Sequence, residues 1–345
     1  MSRRQVLITG STGQDGAYLA EHLLENDCDV FCGFRRGGSH KVWRLEALNV
    51  INRVKMVELE VTEFHNVLEV IQDIRPDTVF HLAAQSFVLD SYKYPALTTN
   101  VNAIGTLNVL EALRIAAPDA HLFNASTSEL YGARTNTKVN EDTPFNPRNP
   151  YSISKLHAHL LVRNYREKYG MKCSSGILFN HESPLRGREF VTRKITFNMA
   201  RLNVKEGSPV SLGNLNATRD WGAAKDYIKA MDSMSLQNDP QDYVIASGIG
   251  TTVRDFLVTA AACAGFELEF EGEGFDEVGS DRKSGKKLVV IDKNHYRSND
   301  TNSIVGDATR IKQATGWSPE TDLESLIEEM VAVDIERWKH GDIHV

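Results

Sequence analysis

A short apolar run, Gln5 to Thr9, passes directly into Gly10-x-x-Gly13-x-x-Gly16 and then into a helical stretch that reaches Glu25. Few features constrain a chain more. Glycines at this spacing let the backbone turn sharply at the end of a buried strand. They also leave amide groups open at a helix N-terminus, where a pyrophosphate is held by N–H donors and the helix dipole. A strand that feeds a helix returns to its sheet parallel to itself, by a right-handed crossover. The expected fold is therefore α/β, a doubly wound parallel Rossmann-type sheet.

The pattern continues through the first half of the chain. Asp29 to Phe34, Val54 to Glu58, Thr78 to Leu82, His121 to Ala125 and Cys173 to Leu178 are short apolar runs without long polar alternation, the signature of parallel strands covered on both faces. Helical stretches lie between them: Gly13 to Glu25, Glu63 to Ile74, Tyr94 to Ala116 and Tyr151 to Tyr169. After about Phe179 the alternation fades into a loop-rich region. The sequence thus predicts a dinucleotide-binding domain over 1–179 and a substrate-binding lobe over 180–345, with chain crossings back to the first domain. A length of 345 residues accommodates both.

Charge and composition exclude several function classes. A net charge of −7 disfavours a nucleic-acid surface. The apolar run Val6 to Ile8 behind Met1-Ser2-Arg3-Arg4 is too short for a signal peptide, and no later run is of membrane-spanning length, so a cytoplasmic protein is expected. Cys28, Cys32, Cys173 and Cys263 form no Cys-x-x-Cys pair, and His157 and His159 are two apart on a helix, on different faces. Reduced thiols and no metal site are expected.

The candidate chemistry lies at the strand ends, where doubly wound sheets bind ligands. Gly10, Ser11, Thr12, Gly13, Gln14, Asp15 and Gly16 form the pyrophosphate turn. An NAD site would carry an acidic residue at the end of the second strand, but this chain has Phe34-Arg35-Arg36, which suits the 2′-phosphate of NADP. His81-Leu82-Ala83-Ala84-Gln85-Ser86 brings small residues and backbone past the cofactor ribose. Tyr151 and Lys155, four apart, share one helix face, so the ammonium is expected to pull the phenol toward neutral pKa as a base for a sugar hydroxyl. In Thr127-Ser128-Glu129, Thr127 can orient that hydroxyl. Glu129 is the residue that a plain alcohol dehydrogenase or epimerase would not need, since a carboxylate there can remove a proton beside a new ketone.

These residues and the segments around them identify a family. TGSTGQDGAYLAEHLLE, RLEAL, AAQSFV, ASTSELYG, NPYSISK, YREKYG, GILFNHESPLRG, FVTRKIT, the LGN, RDWG and KDY run, and GWSPET together resemble the extended short-chain dehydrogenase/reductases and, within them, the GDP-mannose 4,6-dehydratase family, over essentially the whole chain. The resemblance implies oxidation at C4 by NADP⁺, with Tyr151 taking the hydroxyl proton. Loss of the C5 proton to Glu129 and of water from C6 follows, and hydride returns to C6. It further implies cofactor contacts from Gly10 to Asp15, Arg35, Glu60, Val61, Leu82 to Ser86, Tyr151, Lys155, His181 and Arg186. Substrate contacts are implied for Ser86, Ser128, Asn180, Glu182, Val191, Lys194, Gly213, Arg219, Arg297 and Asp300, with Arg219 and Arg297 as a diphosphate clamp. The Arg35-Arg36 loop resembles one that reaches a neighbouring subunit's cofactor, which implies a homo-oligomer, a tetramer or a dimer.

The chain departs from the family in two places. Glu60-Val61 stands for the usual Asp-Leu, and Arg297-Ser298-Asn299-Asp300 for an Arg-Pro-x-Glu run. Ser128 occupies the position at which related glucose-specific dehydratases carry an aspartate. A GDP-heptose dehydratase and a 4-keto-sugar reductase or epimerase would share most of this set, and a non-catalytic nucleotide-binding protein would share the glycine turn.

Overall fold

The structure is a computed structural model that describes residues 3–37, 42–132, 137–293 and 303–342. Its centre is a seven-stranded sheet in the order Tyr243–Ile245, Cys173–Leu178, His121–Ala125, Thr78–His81, Gln5–Thr9, Asp29–Phe34, Lys55–Glu58. Every neighbouring pair is parallel. The side chains of the first strand alternate between the two faces as the strand period requires. Val6 and Ile8 enter the apolar layer that holds Leu19, Leu23 and Met231, whereas Leu7 enters the opposite layer with Val67, Ile71 and Leu113. Each such fully buried aliphatic side chain stabilises the fold by about 1.5–3 kcal/mol.

Four of the six sequence-predicted strands have the observed limits, and the other two differ by one residue at an end. The seventh, Tyr243–Ile245, is a return of the chain from the second half of the sequence. The Ala224–Ser235 helix accompanies it, placing Tyr227, Ile228 and Met231 in the same apolar layer as the Gln14–Glu25 helix. The stretch read as one helix from Tyr94 to Ala116 is interrupted. It runs as Pro95–Thr99, a π-helical turn over Asn100–Ile104, and Gly105–Ala116. That turn aims Asn102 into the fold, where its amide donates to the Gln85 carbonyl (3.1 Å) and to Ser154 Oγ (3.0 Å) and its Oδ1 accepts from the Gln85 N–H (2.8 Å). A π-turn is thus spent on joining the loop after the fourth strand to the Pro150–Tyr169 helix.

The rest of the chain forms smaller sheets. Gly250–Thr252, Thr218–Ala223 and Asn180–Glu182 make one, and Leu268–Glu271, Val278–Asp281, Lys287–Ile291 and Val210–Leu212 another. They pack on the Val191–Val204, Val253–Cys263 and Leu323–His340 helices through Ile195, Met199, Phe256, Leu257 and Val331. Arg193 and Asp334, both fully buried, pair across the first and last of these helices, and Arg337 donates to the same carboxylate at 3.2 Å. Among the described residues no helix is long and apolar enough to cross a membrane.

Candidate active site

The C-terminal ends of the parallel strands open onto a cavity of about 1120 Å³, which continues between the sheet and the second half of the chain. Its floor is the glycine turn. Gly10 has φ +73°, a conformation that favours glycine, and a β-carbon there would lie 2.7 Å from the Ala83 amide nitrogen. A β-carbon on Gly16 would come within 2.5 Å of Ser11 Cα. The turn can therefore be tight only without side chains. Gly13 caps the Gln14–Glu25 helix with no side-chain hydrogen bond, so the amides of the first helical turn are left for a ligand. These features fit a dinucleotide pyrophosphate.

Asp15, in that first turn, crosses the cavity to the Asn180–Glu182 strand. His181 Nε2 donates to Asp15 Oδ2 at 2.9 Å and Nδ1 donates to the Phe179 carbonyl at 2.7 Å. Both ring nitrogens act as donors, as an imidazolium requires. Burial works against both charges, yet the pairing prevails: Asp15 is held down to about 2 and His181 is raised above its ordinary value. Tyr227 stacks on the His181 ring at 4.6 Å. Gln14 closes the arrangement, donating to Asp15 Oδ1 (2.9 Å) and to the His181 carbonyl (3.1 Å).

The Pro150–Tyr169 helix carries Tyr151 and Lys155 into the cavity, both buried. The helix begins in a capping box: Asn149 Oδ1 accepts from the Ser152 N–H at 2.8 Å, and Ser152 Oγ accepts from the Asn149 N–H at 3.2 Å. The sequence-based expectation that Lys155 pulls the Tyr151 phenol toward neutrality needs correction. Burial is the largest influence and pushes the phenol up to about 12, while its hydrogen bond with Thr127 opposes that and the Glu129 charge adds to it. Burial also lowers Lys155 to about 8. Removal from water penalises the charged form of each group, and that burial dominates both shifts.

Thr127 and Glu129 stand beside the phenol. Thr127 Oγ1 accepts from the Glu129 N–H at 3.2 Å and so caps the short turn that follows the fifth strand. Glu129 Oε2 accepts from Asn149 Nδ2 at 3.2 Å. The phenol, a hydroxyl and a carboxylate therefore line one cavity wall, with Lys155 beneath. Such a constellation can take a proton from an alcohol and another from the adjacent carbon.

Most of the other expected residues line the same cavity: Thr12, Arg35, Val61, Leu82 to Ser86, Asn180, Arg186, Val191, Lys194, Gly213 and Arg219. Five lie elsewhere. Ser11 is buried, and its hydroxyl donates to the Gly33 carbonyl at 2.9 Å. Arg36 is exposed and faces Glu58 at 3.9 Å. The Glu60 carboxylate turns back to accept from the Thr62 hydroxyl at 3.0 Å, so the longer acid does not reach the cavity wall. Glu182 is buried, accepts from the Thr192 hydroxyl (2.5 Å) and forms an ion pair with Arg186 (3.4 Å). Ser128 faces a separate small cavity. Arg297 and Asp300 lie outside the described residues.

The sequence reading passed over Arg44, Phe87, Arg188 and Phe190 on the cavity wall. Arg44 Nε donates to the Leu185 carbonyl (2.7 Å) and Nη1 to the Thr12 carbonyl (3.1 Å), tying the glycine turn to the loop before Arg186. It belongs to the RLEAL segment, so its position was in view but not its role. The Phe87 and Phe190 rings meet edge to face at 5.9 Å, joining the two halves of the wall.

A family model described as GDP-mannose 4,6 dehydratase matches residues 7–330. The chain belongs to the GDP-mannose 4,6-dehydratase family. It is 44% identical over 340 residues to a GDP-mannose 4,6-dehydratase of Sinorhizobium fredii (strain HH103), covering 96% of this chain and 97% of that one. A Homo sapiens relative bearing the same name is 39% identical over 342 residues, covering 97% and 92%. Among solved structures, a Thermotoga maritima UDP-glucose 4-epimerase with UDP-glucose superposes with a TM-score of 0.81 at 23% identity, covering 97% of this chain and 99% of that chain. A Bacillus anthracis dTDP-glucose 4,6-dehydratase with NAD gives a TM-score of 0.79 at 20% identity, covering 99% and 98%. At these identities the two structures share the fold. Within the GDP-mannose 4,6-dehydratase family frame, the mixed α/β architecture with its parallel central sheet is that of a nucleotide-sugar dehydratase, and the enzyme class is a hydro-lyase.

Proposed function

We propose that this protein is a GDP-mannose 4,6-dehydratase that converts GDP-D-mannose to GDP-4-keto-6-deoxy-D-mannose and water with a bound NADP. The observation that carries the reading is the convergence of Thr127, Glu129, Tyr151 and Lys155 on one cavity whose other end is the glycine turn. The residues from Gly10 to Asp15, with Arg35, Val61, Leu82 to Ser86, His181 and Arg186, would hold the dinucleotide. Asn180, Val191, Lys194, Gly213 and Arg219 would hold the nucleotide sugar. Arg35 at the end of the second strand supports the 2′-phosphate form of the cofactor. A nicotinamide held by these residues would supply hydride acceptance and return, and its positive charge when oxidised would favour the phenolate of Tyr151.

The chain's own residues do the proton work. Thr127 orients the C4 hydroxyl, and Tyr151 removes its proton, with the Lys155 ammonium offsetting the phenolate charge. The ketone acidifies C5. Glu129, held by Asn149, takes that proton, water leaves C6, and C5 is reprotonated after hydride returns. A plain epimerase or reductase needs the first step only, and the placement of Glu129 beside the phenol favours the dehydratase.

In the same reading residues 1–179, rejoined by the 224–247 segment, mainly serve the cofactor, and residues 180–345 mainly serve the nucleotide sugar, with His181 and Arg186 reaching back to the cofactor. The family resemblance of the exposed Arg35-Arg36 loop suggests a homo-oligomer, and a cytoplasmic location is proposed with it. Incubation with GDP-mannose in D₂O without added reductant tests the reading. A 4-keto-6-deoxy sugar with deuterium at C5 is expected; a cofactor-loaded protein that returns only sugars with the C6 hydroxyl retained would overturn it.

A further inference from the structure

We infer that a second, much smaller cavity behind Glu129 receives the water expelled from C6 and keeps it away from the unsaturated carbon, an inference that rests on the dehydratase reading. This chamber of about 30 Å³ shares Glu129, Phe179, Asn180 and Arg219 with the main cavity, so those residues lie between the two. A water needs about 10–15 Å³ of such space and two to four polar partners. Ser128, Glu129, Asn180, Arg219 and Asp220 supply polar residues to its lining, and Phe179 and Ile304 supply apolar ones.

The far wall is rigid. Asp220 Oδ1 accepts from the Ser247 N–H (2.9 Å) and hydroxyl (2.6 Å), and Oδ2 accepts from the N–H groups of Gly248 and Gly306 (3.0 Å each). That carboxylate is committed to the fold and binds the Ile304–Gly306 strand in place. The Asp220 side of the chamber is therefore held by four hydrogen bonds.

Elimination breaks the C5–H and C6–O bonds and forms C5=C6. The C5 proton passes to Glu129 and from it to the departing hydroxide, which becomes water. The proton taken by Tyr151 from the C4 hydroxyl balances the one that later reaches C5. Until hydride arrives, C6 is electrophilic, and water beside it would add back and undo the step. Ser128 replaces the aspartate of related glucose-specific enzymes, so at this position the chain offers a neutral hydrogen-bonding group to the water rather than a second acid.

Filling the chamber from its far wall tests this. Ile304→Phe and the near-isosteric Ile304→Met are assayed in D₂O beside the parent protein, with melting temperature and bound cofactor as controls of folding. The quantity read is deuterium at C5 of unconverted GDP-mannose per product formed. A rise of about ten-fold is expected for Ile304→Phe, with a smaller rise for Ile304→Met, because deprotonated sugar returns to substrate instead of losing water. A folded, cofactor-loaded variant with the parent ratio would overturn the chamber and leave the dehydratase intact; should Ile304→Phe not fold, Ile304→Met decides. A parent protein that makes no 4-keto-6-deoxy sugar would overturn the dehydratase reading and the chamber with it.

Discussion

Asn149 Nδ2 donates to Glu129 Oε2 at 3.2 Å, while the same side chain caps the helix that presents Tyr151 two residues later. One residue therefore positions both Glu129 and Tyr151, the two groups that the proposed reaction uses as bases. Asn149→Ala removes both contacts and is expected to cost ~1 kcal/mol of stability, the usual loss of an N-cap, together with a larger fall in kcat. Asn149→Asp retains the cap but sets a carboxylate against Glu129, which must be ionised to act. Its melting temperature should fall at neutral pH, where the two carboxylates repel, and recover toward acid pH, and the acid limb of its pH–rate profile should move to higher pH. An unmoved limb would separate Asn149 from the base.

Glu129→Gln keeps the shape of the wall and loses the proton acceptor. Cofactor content and GDP-mannose affinity should be retained while kcat falls about a hundred- to ten-thousand-fold, the usual contribution of a general base. Near-normal turnover would remove Glu129 from the mechanism.

Lys155 has its pKa lowered by burial from 10.5 to about 8. Below pH 8 the folded protein bears the full cost of an ammonium removed from water, and between about 8 and 10.5 the unfolded chain binds a proton that the folded one does not. Stability from this group thus rises with pH across that window. Lys155→Met should be inactive yet more stable at neutral pH than the parent, by up to roughly 3 kcal/mol at about 1.4 kcal/mol per tenfold. The difference should shrink toward pH 10.5. Urea unfolding at pH 7 and pH 10 measures it.

The Asp15 and His181 pair contributes in the opposite sense on its two sides. Asp15, lowered to about 2, contributes stability that is present above its ordinary 3.8 and lost as pH falls toward 2. His181, raised above 6.5, contributes stability that is fully present below that value and lost as pH rises through its folded pKa. The parent should be most stable from about pH 4 to the neutral range, and Asp15→Asn should flatten that profile and lower stability by about 3 kcal/mol by leaving a buried imidazolium unpaired. Melting temperature against pH for both proteins checks this.

Arg35→Asp places at the end of the second strand the kind of residue that accepts a ribose 2′-hydroxyl. NADP affinity is expected to fall by about ten- to a hundred-fold and NAD affinity to rise, since one charge-assisted contact becomes a repulsion. Equilibrium titration of cofactor-stripped protein with each dinucleotide reads the ratio, and an unchanged preference would assign the 2′-phosphate to other residues.

Much of the arrangement was legible because its signals are local. The glycine turn, the continuous apolar strands and the four-residue spacing of Tyr151 and Lys155 each follow from backbone geometry within one element. The π-turn was hidden, since one extra residue per turn leaves the helical apolar pattern almost unchanged over Tyr94 to Ala116. Tyr243–Ile245 was hidden too: three residues carry no period, and their place in the sheet comes from Cys173–Leu178, far back in the chain.

The sequence by itself determined the fold class, the glycine turn and the candidate reacting groups, because hydrophobic period and residue chemistry are properties of short stretches. Tertiary structure decided what those groups experience. The pKa of Tyr151 depends on how much water its neighbours exclude, and that exclusion comes from both halves of the chain. The partners of Glu129, Asp15 and Asp220 come from elements 20, 166 and up to 86 residues away. Contacts at such separations are set by the packing of the whole molecule, and no local pattern encodes them.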